Sequence, residues 1–152
     1  MTTARRFCGE VLTMPCKYPV WWETPITLYN KVTDNGKIIY YRHLLDGCHY
    51  AKKRLTDSDG GNLSAVSETV VRIRQNDAYM PPKAYADSGA AVRKAHFTLT
   101  PGDVVFYGVI TDDMADETGK RPADLLKNHD GFTVKTCADN TFANPAHYRC
   151  GD

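Results

Sequence analysis

Short segments with a strand-like pattern of apolar and polar residues recur along the chain. Residues 26–31 alternate apolar and polar side chains, and residues 38–45 are rich in β-branched and aromatic side chains. Between them, Asn35-Gly36 is typical of a type I′ turn, which joins two antiparallel strands. Residues 69–74 alternate again. These patterns predict an antiparallel sheet that begins near residue 24.

The second half of the chain predicts further strands. Residues 97–110 contain a long apolar segment after a Pro-Gly-Asp turn, and residues 132–137 and 146–150 are two shorter candidates. Pro122 is placed to begin a short helix. The Gly- and Asp-rich residues 51–66 predict a loop, and a Pro-Pro pair in residues 77–96 predicts neither helix nor central strand.

The order of these elements predicts a mostly β fold. Five to seven strands, one short helix and no strand–helix alternation favour a small antiparallel β-barrel or sandwich. We expect an N-terminal arm over residues 1–23 and a β-barrel domain over residues 24–152. Within that domain, the polar residues 112–131 separate two strands and predict an extended hairpin tip. Asp46-Gly47 predicts a turn or a β-bulge.

Composition and charge narrow the classes of function. The 152 residues include 19 basic and 18 acidic side chains, a formal charge of +1, which argues against a dedicated nucleic-acid binder. No apolar run approaches the ~18 residues of a membrane span, and the first residues lack the continuous apolar segment of a secretory signal. Five irregularly spaced cysteines predict reduced thiols. We therefore expect no membrane partner.

No group of residues predicts catalysis or a bound metal. Cys48 and His49 are adjacent, and neighbours on a strand point to opposite faces, so they form a poor nucleophile–base pair. The cysteine spacings do not match a zinc knuckle, and the acidic segments lack the ligand order of a calcium loop. We expect a protein that is not an enzyme and carries no cofactor. A small Cys/His enzyme is the alternative.

Two basic clusters raise a second alternative, an OB-like barrel that binds nucleic acid. Tyrosines near the first cluster could stack on bases. The candidate DNA-facing residues are Lys52, Lys53, Arg54, Arg72 and Arg74.

A separate set of apolar residues is the candidate subunit interface. Trp21 and Trp22 are adjacent, so we expect one ring to pack on the body of the protein and the other to face a partner. The remaining candidates belong to the predicted tip and its helix: Met114, Leu125 and Leu126.

The segments LTPGDVVFYG, GFTVKTCADN and AHYRCGD occur in this order in the C-terminal half. Together they resemble the small β-barrel head-closure (stopper) proteins and related minor capsid proteins of tailed phages. The resemblance spans roughly residues 24–152. Its matching positions are Gly102, Asp103, Gly108, Phe132, Val134, Asp139, Asn140 and His147.

The resemblance implies a structural virion protein of the phage neck, assembled in the host bacterial cytoplasm. Such a protein forms a homo-oligomeric ring that retains packaged DNA and offers a platform for the tail. The implied neighbours are the portal or adaptor protein above and the tail terminator or tail-tube protein below, with packaged double-stranded DNA in the lumen. Another neck role, adaptor or tail terminator, is an alternative. The tip 112–131 would serve in docking or gating.

Overall fold

The computed structural model describes residues 18–114 and 120–152, so most of the predicted arm lies outside the described residues. One seven-stranded antiparallel sheet forms the body, in the order β5-β4-β1-β2-β3-β7-β6. The prediction of a mostly β fold is confirmed. The strands are β1 (Thr24–Asp34), β2 (Lys37–Asp59), β3 (Asn62–Arg74), β4 (Val104–Tyr107), β5 (Gly131–Thr133), β6 (Thr136–Asn140) and β7 (His147–Gly151).

The long strand β2 curls the sheet because it pairs with β1 along its first half and with β3 along its second half. The register against β1 shifts by one residue where Thr24 pairs with Cys48 and Ile26 pairs with Leu45. The shift places a β-bulge at Asp46-Gly47, as the sequence predicts, and Gly47 has a φ of 68°. A bulge bends the strand at this corner, so the two halves of the sheet face each other.

The main core fills the space between the two halves. Six strands contribute side chains to it, namely β1, β2, β3, β4, β5 and β7. The one curled sheet therefore encloses a single core. The buried residues are Ile26, Leu28, Leu45, Cys48, Val71, Ile73, Phe97, Leu99, Val105, Phe132, Val134, Tyr148 and Cys150.

The segment that follows β4 covers the outer face of β1. Tyr29, Val104 and Phe106 point to that face, and they form a second buried cluster with Ile110, Met114 and Leu125. The described parts of the predicted tip, residues 112–114 and 120–131, thus have apolar side chains packed against the body. Because Met114 and Leu125 are each only 4% exposed, their assignment to a subunit interface is corrected: they are interior side chains of one chain. Leu126 packs against the same cluster and is partly buried.

Three short helices occur among the described residues, where the sequence predicted one. They are α1 (Pro82–Ala86), α2 (Ala90–Ala95) and α3 (Pro122–Asn128). The Pro-Pro pair does not prevent α1, because Pro81 precedes it and Pro82 is its first residue, which needs no backbone N–H partner. Tyr85 of α1 packs on Val32 and Tyr41. None of the described helices has the length and apolar character needed to span a membrane.

The predicted loop 51–66 is a paired hairpin. Antiparallel pairs run without interruption from His49–Arg72 to Asp59–Asn62, and Gly60-Gly61 makes the turn. β7 reaches β3 only at residues 70–74. Residues 53–68, named here the ribbon, therefore have only each other as strand neighbours among the described residues. Seven residues on each side extend the ribbon about 20 Å.

Candidate functional site

The strand register separates the basic candidates. Lys53 pairs with Glu68, and Lys53 lies on the same face of the hairpin as Arg72, whereas Lys52 lies on the opposite face. Arg54 occupies the next position of β2, and its side chain lies outside the described part of the structure. The five residues thus do not form one continuous basic surface.

Two of these basic side chains also contact other side chains of the same protein. The Lys52 ammonium lies 2.6 Å from the Asp130 carboxylate, in a pair exposed to solvent. A guanidinium nitrogen of Arg72 lies 3.4 Å from Nδ1 of His49. Burial and the positive charge of Arg72 lower the pKa of His49. Lys53 is exposed, and it lies directly opposite Glu68 on the neighbouring strand.

Arg74 is a structural residue of the corner. Its Nε donates to the Gly47 carbonyl at 2.9 Å, and its Nη2 donates to the Trp22 carbonyl at 2.8 Å. The guanidinium also lies 5.0 Å from the ring centroid of Tyr18. A Cβ at Gly47 would stand 2.8 Å from Arg74 Nε, so the bulge glycine and the arginine fit together. The assignment of Arg74 as DNA-facing is corrected on this geometry.

Trp21 and Trp22 divide as the sequence predicts. Trp22 is buried, and its ring stacks on His49 with centroids 5.8 Å apart and meets His147 edge-on at the same distance. Trp21 is 66% exposed, and the preceding Val20 is exposed as well. The buried ring anchors this segment to β2 and β7, while the exposed ring is available for contact.

Further exposed apolar residues lie at the same end of the sheet. Thr27 pairs with Leu44, and its hydroxyl bonds the backbone of residues 108 and 110, which flank Val109. Phe142 lies in the loop that leads to His147, the ring against Trp22. We name this surface the apolar end, and its exposed members are Val20, Trp21, Leu44, Val109 and Phe142. Tyr107 is exposed too, but it pairs with Ile26 and so lies on the opposite face of the sheet from Leu44. Composition alone could not reveal it, because these residues are distant in sequence.

Asp103 has a structural role at the start of β4. Its carboxylate is fully buried and accepts hydrogen bonds from Asn30 Nδ2, from the Lys31 N–H and from the N–H and hydroxyl of Thr100, at 2.9 to 3.1 Å. Burial raises the pKa of Asp103, against the opposite effect of these four hydrogen bonds. Asp103 of the Gly-Asp motif thus joins β1 to β4, which is a structural role.

Cys48 and His49 do not meet as a nucleophile and its base. The Cys48 thiol is buried in the main core, and burial raises its pKa to about 12. The ring of His49 lies on Trp22 instead. Among the side chains that the structure describes, no three histidine, cysteine or acidic groups are placed together to hold a metal ion.

A small open pocket lies on the segment that covers β1. Its lining includes Asp112, Lys120 and His129. The Asp112 carboxylate lies 3.3 Å from Lys120 Nζ and 3.8 Å from His129 Nε2. These contacts connect the two ends of the segment around α3.

A family model matches residues 21–151, nearly the whole described chain. Its description is a family of unknown function, DUF6751. The chain belongs to the DUF6751 family. No curated protein and no solved structure gives a significant match to this DUF6751 chain. The match begins at Trp21, so the DUF6751 region includes the anchored Trp22, the curled sheet and every member of the apolar end except Val20.

Proposed function

We propose that the protein is a structural virion protein of a tailed phage, a head-closure (stopper) component of the head–tail connector. It forms a homo-oligomeric ring that retains packaged DNA and gives the tail a docking platform. The apolar end is the observation that carries this proposal. Its neighbours are the portal or adaptor protein on one side and a tail terminator or tail-tube protein on the other.

The composition of the apolar end favours a protein–protein contact. Trp21, Val109 and Phe142 are each at least 60% exposed, although the described chain has three buried clusters in which apolar side chains could be placed. Grouped exposed apolar residues mark interaction sites on soluble proteins. In a ring each subunit contact is repeated, so even a modest contact can hold the assembly.

The ribbon supports the same proposal by its reach. Its strands pair with each other beyond the last residue of β3 that β7 contacts, Val70. A projecting ribbon can contact the next subunit or line the lumen of a ring, where Lys53 would meet the phosphates of packaged DNA, whereas Lys52 lies on the opposite face and pairs with Asp130. This role replaces the docking role that the sequence predicted for residues 112–131.

The resemblance to stopper proteins contributes through the fold. Gly102 and Asp103 build the buried junction between β1 and β4, and Asn140 and His147 form a side-chain pair at 3.3 Å across β6 and β7. The shared positions thus support a common barrel-like architecture. An adaptor or tail terminator would use the same ring and would differ in its neighbours.

A charge substitution in the apolar end tests the ring. Val109→Glu places a carboxylate in the proposed contact, and we expect its self-association to weaken by at least about tenfold, which corresponds to 1.4 kcal/mol. Val92→Glu is the matched control, because Val92 is exposed on α2, which packs against β2 away from the apolar end. Light scattering after size-exclusion chromatography and electron microscopy measure the assembly.

Three outcomes would contradict the proposal. A wild-type chain that stays monomeric up to its solubility limit contradicts the ring. A chain that forms rings but is missing from purified phage particles, as judged by mass spectrometry, contradicts the role in the virion. Equal association of Val109→Glu and Val92→Glu would show that the apolar end is not the ring contact.

A further inference from the structure

Two thiols lie directly opposite each other at the edge of the sheet. Cys137 of the edge strand β6 pairs with Cys150 of β7. Directly opposed residues in an antiparallel ladder point to the same face of the sheet. Cys150 lies in the main core, and Cys137 is exposed at the rim of that core.

Two backbone hydrogen bonds show whether Cys137 and Cys150 form a hydrogen-bonded or a non-hydrogen-bonded pair of the ladder. The Gln75 N–H donates to the Ala146 carbonyl, and the Asp152 N–H donates to the Thr69 carbonyl. Because backbone groups alternate along a strand, the N–H and C=O of Cys150 also point toward β3. They therefore point away from β6, and Cys137 and Cys150 form a non-hydrogen-bonded pair of the β6–β7 ladder.

The geometry of such a pair suits a covalent bond. Opposed Cα atoms at non-hydrogen-bonded positions lie about 4.5 Å apart, closer than at the other positions of the ladder. Disulfides join residues whose Cα atoms are roughly 4.4 to 6.8 Å apart. Only a small adjustment of the edge strand is then needed to bring the two sulfur atoms together.

We propose that Cys137 and Cys150 are an oxidation site. A low-molecular-weight disulfide such as oxidised glutathione oxidises the two thiols, which form a disulfide with each other across β6 and β7. The deprotonated Cys137 sulfur attacks one sulfur of the reagent, and one thiol leaves. The deprotonated Cys150 sulfur then attacks Cys137 in the mixed disulfide and releases the second thiol. Two protein thiols are oxidised, and one reagent disulfide is reduced to two thiols.

The order of attack follows from access and acidity. Cys137 is exposed to the reagent, whereas Cys150 is buried. Burial raises the pKa of Cys137 to about 11 and raises the pKa of Cys150 as well, so thiolates are scarce at neutral pH and the reaction speeds up in mild alkali. The product would fasten β6 to β7 and close the loop that carries Phe142. This proposal is independent of the proposed ring.

Peptide mapping of the full-length chain tests the bond. After treatment with oxidised glutathione and tryptic digestion without reductant, we expect the peptides that carry Cys137 and Cys150 to be joined, and dithiothreitol to separate them. The melting temperature should rise by about 5 to 10 °C, because the bond closes a loop of about 14 residues in the unfolded chain.

Two variants make the result specific. Cys137→Ser removes the exposed partner and should abolish both the joined peptides and the rise in melting temperature. Cys48→Ala removes the other described core thiol, and it should keep both. The proposal is overturned if Cys137 stays unreacted or remains a glutathione mixed disulfide. It is also overturned if Cys137 joins Cys8, Cys16 or Cys48, or if Cys137→Ser shows the same stabilisation.

Discussion

Two long excursions leave the same sheet and behave in opposite ways. One is the connection between β4 and β5, and the other is the ribbon of β2 and β3. The described parts of residues 108–130 fold back, and Ile110, Met114 and Leu125 close a second core over Tyr29. The ribbon extends away, with Gly60-Gly61 at its turn and no third strand beside it in the described chain. Apolar side chains hold the first segment on the sheet, whereas continuous backbone pairing is the described feature of the second.

This comparison predicts that the two excursions differ in their effect on stability. The largest loss is expected for Leu125→Asp, which places an unpaired charge in the cluster over Tyr29. We expect the free energy of unfolding to fall by about 4 kcal/mol or more, measured by chemical denaturation.

Leu126→Asp is the control for this substitution. Leu126 follows directly in α3 and is only partly buried, so a carboxylate there can reach solvent, at a cost of about 1 kcal/mol. Equal losses for both variants would contradict the placement of Leu125 as the interior side chain of the helix.

A smaller loss is expected where β4 starts, at Asp103. Asp103→Ala leaves Asn30 Nδ2 and the N–H groups of Lys31 and Thr100 without their acceptor. We expect the free energy of unfolding to fall by about 3 kcal/mol, measured by thermal and chemical denaturation.

The control for Asp103 lies within the connection itself. Asp112→Ala removes solvent-exposed ion pairs with Lys120 and His129 and should cost less than about 1 kcal/mol. The Tyr29 hydroxyl bonds the backbone carbonyl of Asp112, which the substitution retains. If Asp112→Ala cost as much as Asp103→Ala, the ion pairs and not the apolar cluster would hold the connection in place.

The sequence predicts much of the sheet, because alternation and turn residues act locally. The Asn35-Gly36 hairpin, the bulge at Asp46-Gly47 and the division of Trp21 from Trp22 all occur where expected. The strand predicted over residues 97–110 is shorter, since only Val104–Tyr107 pairs as a strand. Residues before it turn inward to place Phe97 and Leu99 in the core.

The pairing of residues 51–66 and the buried anchors within residues 112–131 both escaped the sequence analysis, for physical reasons. Residues 51–66 are polar and glycine-rich, but an antiparallel ladder needs only backbone groups, and both faces of a projecting hairpin can remain in water. Residues 112–131 are also mostly polar, yet Met114 and Leu125 suffice to seat the segment on β1. The apolar end was missed because it depends on register between distant strands.

The smallest effect on stability is expected for a shortened ribbon. Deleting residues 55–58 together with 63–66 removes four opposed pairs and leaves the Arg54–Ser67 pair next to the Asp59–Asn62 pair and its glycine turn. An even number on each strand preserves which face every remaining side chain occupies. Because the ribbon pairs only with itself, we expect the free energy of unfolding to change by less than about 0.5 kcal/mol in chemical denaturation.

Deleting residues 55–57 with 64–66 is the matched control: it also removes opposed pairs, but an odd number reverses the face of the turn residues. A loss of more than about 1 kcal/mol in the first variant would show that the ribbon packs against the body, and the contrast between the two excursions would then fail.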